Sequence, residues 1–395
     1  MNLSVPTNWQ PDLLQKLNKS KVTEIYGKID RDAVGGARPS YALAYISKRE
    51  AAKHVALIHK NNLKFNYLIN AVCLGNTEWT SRGQKSIRRT LDWLSEIGVD
   101  SVTVAIPYLL HLIKKSYPDL KVKVSLCANV CTPIQAKYWE DLGAEEINLS
   151  PWTTNRNFDL LRQIRKAIKC SLQLYANTTC ITGCPALSHH YGMASHASSS
   201  NIYGEEFFID YCKYYCLYLK LSKPMRYISS CFIRPEDLHY YSDIGIDKIK
   251  LGDRETNTDY ISNVVEAYTL GKYDGNLLDL LIKRPKDKIS HSRYFFWKKV
   301  KFFFHPCKVN LIEVFWHISG LNVANQSYLD NRKLDGFLDF FVSGKCKLAN
   351  CEECGYCKSV AEKALIIPEG FRKELLKKLE IFIGKLVDGS LFYIK

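Results

Sequence analysis

The sequence predicts an α/β protein: a (β/α)8 TIM-type barrel followed by a C-terminal extension that contains cysteines. Three observations carry this. Short β-rich runs alternate with helical patterns eight times through about 275 residues, and strands alternating with helices imply a parallel sheet. Eight such units in that length fit a closed barrel better than an open doubly wound sheet. No Gly-x-Gly-x-x-Gly follows an early strand, which removes the commonest reason to prefer a dinucleotide-binding fold.

In chain order, strands are expected at Val22–Ile29, Phe65–Val72, Ser101–Ile106, Val122–Cys127, Glu146–Leu149, Leu172–Ala176, Tyr227–Phe232 and Lys248–Leu251. Between and after them, helices are expected at Lys48–Lys60, Gly83–Ile97, Pro107–Ser116, Pro133–Leu142, Phe158–Ile168, Glu205–Leu221, Pro235–Asp243 and Asn257–Leu270. Pro133 and Pro235 suit the first turn of a helix, where a missing N–H costs nothing. Gly98, Gly143 and Gly245 each follow a helical run and precede a strand, as a glycine closing a helix should.

The alternation stops after Gly271. Residues 1–275 are therefore read as the barrel and residues 276–395 as an extension, closed by an amphipathic helix near Glu369–Leu386. The segment Leu281–Lys301 holds eight Lys and Arg against one Asp, so it supplies +7 of the formal charge of +15. Its aromatic-basic continuation to His305 would suit RNA phosphates and bases. An edge element with one buried aromatic face and one solvated cationic face would account for it equally simply.

Composition narrows the class. With 46% hydrophobic and 12% aromatic residues the chain can bury a core, which excludes a disordered protein. No apolar run approaches the roughly 18 residues that span a bilayer, and the first residues lack the apolar region of an export signal. A cytoplasmic protein with reduced thiols is expected. Fourteen cysteines in such a protein point to metal or redox chemistry.

Barrel enzymes place their sites at the C-terminal ends of the strands. Cys180 and Cys184, in CITGC, follow the run Leu172–Ala176. Cys212 and Cys216, in CKYYC, repeat the spacing on a helix, and Cys231 lies in the run Tyr227–Phe232. Four thiolates from this region could surround one [4Fe–4S] cluster, with either Cys212 or Cys216 as the ligand. Zinc also accepts four thiolates, and buried apolar thiols are the plain alternative. A radical-SAM triplet is excluded, because Leu187 stands where its third cysteine would be. His189 and His190 are candidates for proton transfer. Arg156, Arg254 and Arg38 are candidates for holding anionic groups, with Asp253 at the end of the last strand.

A second constellation has sharper spacing. Cys346, Cys351, Cys354 and Cys357 form C-x4-C-x2-C-x2-C, so one short turn can present several thiolates to one centre. A second [4Fe–4S] cluster is favoured there over zinc, because zinc modules usually present two separated pairs. Such a cluster would relay electrons from a donor protein.

Residues Cys180–Pro185 (CITGCP) with their downstream histidines, Phe232–Asp237 (FIRPED), Ile249–Arg254 (IKLGDR) and Glu24–Lys28 (EIYGK) resemble the U32 peptidase-like family, from about Thr23 to Arg254. The resemblance implies a TIM-type barrel with a [4Fe–4S] cluster on Cys180, Cys184, Cys216 or Cys212, and Cys231. The family is named for collagenase-like proteolysis. Relatives carry out oxygen-independent hydroxylations of quinone precursors or tRNA uridine, in some cases with prephenate as oxygen donor. This sequence departs from the usual cysteine spacing and adds the C-terminal motif. The expected function is an iron–sulfur enzyme acting on a small molecule, a peptide or a nucleic acid. A peptidase is the alternative, although neither GxSxG nor HExxH occurs, and an RNA-binding protein with structural clusters is the third reading.

Overall fold

The computed structural model describes residues 1–200, 209–287, 310–347 and 350–392. Its centre is a closed barrel of eight parallel strands in chain order: β1 (Asn2–Pro6), β2 (Val22–Gly27), β3 (Lys64–Leu68), β4 (Ser101–Val104), β5 (Lys121–Val124), β6 (Glu146–Asn148), β7 (Ser171–Tyr175) and β8 (Lys248–Lys250). The barrel closes where Asn2 and Ser4 of β1 pair with Lys248 and Lys250 of β8.

The expected fold class holds, but two strand assignments change. Asn2–Pro6 is the first strand, so the barrel starts at the N-terminus. Its five residues end in a proline, which cannot donate to a ladder and reads as a breaker. Tyr227–Phe232 is not a strand. Met225–Ile228 form a helical turn behind Pro224, and the chain then crosses the end of β7. There the Cys231 amide donates to the Cys180 carbonyl at 3.2 Å and the Ile233 amide to the Ala176 carbonyl at 3.0 Å. A short aromatic and β-branched run cannot be told from another buried segment by pattern alone.

Alternation along the strands divides the interior into two environments. Val5, Ile25, Phe65, Val102, Val122, Val124, Ile147, Leu172, Leu174 and Ile249 belong to the apolar core shared with the helices. The intervening Glu24, Lys123, Glu146, Lys248 and Lys250 are also buried or nearly so. Lys123 on β5 pairs with Glu24 on β2 and, at 3.1 Å, with Glu146; Lys248 lies 2.7 Å from Glu146. Strands β2 and β5 are not neighbours, so the Lys123–Glu24 pair crosses the lumen, which is filled by charge where aliphatic layers are usual.

Most helices follow the sequence; of the expected Glu205–Leu221, residues 205–208 lie outside the described residues and the helix is Tyr211–Ser222, and Pro235–Asp243 divides into the tight turn Pro235–Asp237 and the helix Leu238–Ser242. Ser47 opens Lys48–Lys60 with a full capping box, Pro107 and Pro133 open Pro107–Ser116 and Pro133–Asp141, and Gly98, Gly143 and Gly245 all take positive φ. The connection from β7 to β8 carries helices Leu187–His196, Tyr211–Ser222 and Leu238–Ser242. The extension packs on this connection. Leu329, Leu334, Phe337, Leu338, Phe341, Ala361 and Ala364 join the barrel's apolar core, and Leu375 and Leu379 of helix Glu369–Val387 pack with Leu221 and Tyr227. Arg234, buried, chelates Asp237 through two 2.9 Å bonds and reaches the Asn331 carbonyl at 2.8 Å. The basic-aromatic segment falls largely on residues 288–309, outside the described residues. No helix among the described residues is long and apolar enough to cross a membrane.

Candidate active site

The end of the barrel beyond the C-termini of the strands carries a cationic, phenol-lined site. Tyr26 at the end of β2 donates its hydroxyl to the Leu251 carbonyl at 2.6 Å, and the Lys250 ammonium sits 4.0 Å above its ring. Burial draws Lys250 down to about 8, with Glu24, Arg254, Glu146 and Lys123 around it. Arg254, directly after β8, is also buried and drawn down to about 10, first by burial and then by the like charge of Arg38. Its Nη1 is buried with no hydrogen-bond partner among the described residues. Arg38 lies amid Tyr175, Asp253, Tyr191 and Cys180. Lys250, Arg38 and Arg254 all act on the buried Cys127 thiol, which burial nonetheless raises to about 11. Lys250 and Arg254 are thus drawn down while Arg38, beside Asp253, is held up, and the three cations share one neighbourhood suited to an anion.

Backbone geometry fixes Arg254 there. Gly252 lies so close to Tyr175 that a Cβ would stand 1.9 Å from its hydroxyl oxygen. Asp253 has φ +75°, a costly left-handed conformation for a non-glycine residue. It is held by Thr256, which donates both amide and hydroxyl to its carbonyl, and it pairs with Lys283 at 3.5 Å. Within the field of Arg254, the buried ion pair Lys28–Asp32 is completed by the Tyr67 hydroxyl, 2.9 Å from Asp32.

The barrel thiols stand beside this site, and all come from the β7–β8 connection. Cys180 faces Arg38, Tyr175 and Tyr191. A hydrogen bond from the Cys231 thiol holds Cys180 below the usual thiol value, helped by the Thr178 hydroxyl at 3.2 Å. Cys231 is fully buried and is pushed up by burial and by the neighbouring Cys180. Cys216 faces Cys180 and Lys220 and receives the Ile181 amide. Cys184 is in the field of both Cys216 and Cys180. Cys212 is also in the field of Cys184 and Cys216, but it lies beside Asp210 and near the Ala186 carbonyl. Among the described residues, no three His, Cys, Asp or Glu side chains are arranged to hold a single metal ion.

The other sequence candidates separate. His190 is half-buried, with Nε2 3.5 Å from the Asp210 carboxylate, and it acts on Cys180. His189 is exposed on the same helix. Arg156 does not face the anion site. Its guanidinium is enclosed by the Phe232, Phe337 and Phe341 rings at 4.7, 4.7 and 5.3 Å, and Nε and Nη2 donate to the Ser230 carbonyl. Pattern does not single out Lys250 or Tyr26, although the alternation in KIK points Lys250 inward, whereas Cys127 stands at the end of the expected strand Val122–Cys127, where candidates are looked for.

The family model described as Peptidase family U32 matches residues 36–272. The chain belongs to peptidase family U32. Its U32 relatives include the uncharacterized protease MJ1657 of Methanocaldococcus jannaschii, 33% identical over 316 residues that span 80% of this chain and 81% of that one. The tRNA hydroxylation protein P of Escherichia coli is 23% identical over 146 residues, 36% of this chain and 31% of that one. The solved structure of the U32 peptidase Mk0906 is 23% identical and covers 64% of this chain and 93% of its own, with a TM-score of 0.48.

Proposed function

We propose that this U32 chain is an iron–sulfur enzyme that modifies an organic, peptide or nucleic-acid substrate by oxygen-independent redox or hydroxylation-type chemistry, with a small carboxylate bound at the barrel mouth. The observation that carries the reading is the nearness of the two halves of the site: Cys180, one of four neighbouring thiols, lies in the field of Arg38, which shares the cationic space with Arg254 and Lys250. Cys180, Cys184, Cys216 and Cys231 would hold the cluster. These four thiols lie in one another's neighbourhood, Cys180 beside Cys231 and Cys216, and Cys184 beside Cys180 and Cys216, and Lys220 and Arg38 would offset a cluster's negative charge. When bound, such a cluster supplies a Lewis-acidic, one-electron redox centre. Arg254 and Arg38 would bind carboxylates, and Lys250 and the tyrosines would orient them. His190, oriented by Asp210, would move a proton. The name of the tRNA hydroxylation relative supports the hydroxylation class.

Anaerobic purification with iron and sulfide quantitation tests this, followed by EPR of the dithionite-reduced chain with and without prephenate. Barrel iron at about four per chain, with a signal shifted by prephenate, is expected. Zinc or no metal at these cysteines overturns it.

A peptidase is the second reading, favoured by the family's description and by His190, which pairs with Asp210 and lies in the neighbourhood of Cys180, the groups that a thiol nucleophile, its base and an orienting acid would require. In that case the iron-free chain hydrolyses gelatin, and alkylation of Cys180 abolishes the activity.

A further inference from the structure

The barrel site leaves a group of four thiols and a buried cation unexplained. Asn350 caps the turn Cys351–Cys354 by accepting the Glu352 and Glu353 amides. Gly355, at φ +65° with nothing near its Cβ position, then reverses the chain so that Cys357 opens the helix Tyr356–Ala364. Glycine is needed here for its backbone freedom alone. The fold brings Cys346, Cys351 and Cys354 into the field of Cys357. Tyr356 clamps the motif to the extension, stacking on Phe340 at 4.0 Å and donating to the Phe337 carbonyl. Lys223 pairs with Glu352 at 2.6 Å and ties it to the β7–β8 connection.

Between this motif and the barrel thiols lies Arg156. It is 2% exposed, its Nη1 has no hydrogen-bond partner, and no carboxylate among the described residues pairs with it. The nearby Tyr241 hydroxyl, which donates to the Asn155 carbonyl, also lies within hydrogen-bonding reach of the guanidinium but carries no charge. The charges that Arg156 does face are thiols: Cys231 on the barrel side and Cys357 on the other. The three rings and the Ser230 carbonyl solvate the guanidinium without bringing it an opposite charge, and a metal centre held by thiolates would supply one.

We propose that Cys346, Cys351, Cys354 and Cys357 hold a second iron–sulfur cluster, docked on the barrel with Arg156 as the buried counter-charge between it and the barrel thiols. One compact run of four cysteines favours iron–sulfur over zinc, whose modules usually draw on two separated pairs. Arg156 acts here as a positioning residue.

The test uses the full chain, purified anaerobically, and does not depend on the barrel assignment. Relative to wild type, Cys351→Ser/Cys354→Ser loses about four irons and their sulfides and keeps any barrel signal, while Cys180→Ser/Cys231→Ser keeps the second. Arg156→Gln lowers the reduction midpoint of the second cluster, and Arg156→Lys restores part of the shift. Unchanged iron in Cys351→Ser/Cys354→Ser overturns the proposal, as does loss of zinc in place of iron. Should that variant not fold, the metal analysis of Cys180→Ser/Cys231→Ser decides: about four irons support the second cluster and none overturns it.

Discussion

The Asn177 side-chain carbonyl accepts the Gly252 amide at 2.6 Å, tying the chain beyond β7, from which the barrel thiols depart, to the end of β8, which carries Arg254. The Asn177 amide in turn donates to the Leu280 carbonyl at 3.3 Å, so the start of the extension is fixed to the same point. The thiols and the cationic strand end share one junction, in which Tyr175 occupies the space a Cβ at residue 252 would need.

Gly252→Ala should therefore be destabilised by about 1–3 kcal/mol, the usual penalty for overpacking, and should lose anion binding with it as Tyr175 and Arg254 are displaced. Gly370→Ala, on a helix with open space around its Cβ position, should stay within about 0.5 kcal/mol of wild type. Urea unfolding of the two variants checks the pair, and a Gly252→Ala chain as stable as Gly370→Ala would refute the packing argument.

The charged lumen gives a second prediction. Lys123→Met removes the cation shared by the buried Glu24 and Glu146 and should cost about 3–5 kcal/mol, because it leaves buried carboxylates short of a partner. The pH dependence has a definite sign. Burial raises the Glu24 carboxyl, but Lys123 and Lys248 outweigh it, and the net shift is downward. Its contribution is present above the ordinary carboxyl range and fades as pH falls through the depressed folded value. The gap between wild type and Lys123→Met should narrow on acidification, as thermal unfolding at a series of pH values would show.

How far the sequence reveals this architecture depends on whether a feature is local. The helices are legible because their caps and prolines are local: Ser47 with Glu50, Pro107, Pro133 and the closing glycines. The cysteine groups are legible by spacing. The strand β1 is not, since five residues ending in Pro6 carry too little periodicity, and Cys231 is placed on a strand only because YISSCF has a strand's composition. The anion site is hidden for a different reason. Tyr26, Arg38, Cys127, Lys250 and Arg254 converge only when the barrel closes, and nothing near any of them announces the others.

The helix Tyr211–Ser222 supplies a third prediction. Cys216 faces Cys180 and the Ile181 amide, whereas Cys212 is turned toward Asp210 and the Ala186 carbonyl. Cys216→Ser should lose about four irons per chain, and Cys212→Ser should keep them with an unchanged EPR signal. Equal loss from both variants would place the two thiols in one ligand shell and refute the assignment.

Lys250 supplies a fourth. In the folded chain burial draws it down to about 8 from an ordinary 10.5. Between these values the unfolded chain binds more protons than the folded one, so this group makes stability rise with pH across that window. A bound carboxylate needs the ammonium form and works the other way. Calorimetric affinity for prephenate should hold below pH 8, where Lys250 is protonated, and weaken as pH rises through that value. Lys250→Met should remove this step and bind weakly at every pH. Arg254→Gln should cost about 1.5–3 kcal/mol of binding, the usual worth of a charged hydrogen bond, while leaving the step near pH 8 in place because Lys250 still titrates. A pH-independent affinity in the wild-type chain would remove Lys250 from the site and leave Arg38 and Arg254 to hold the anion alone.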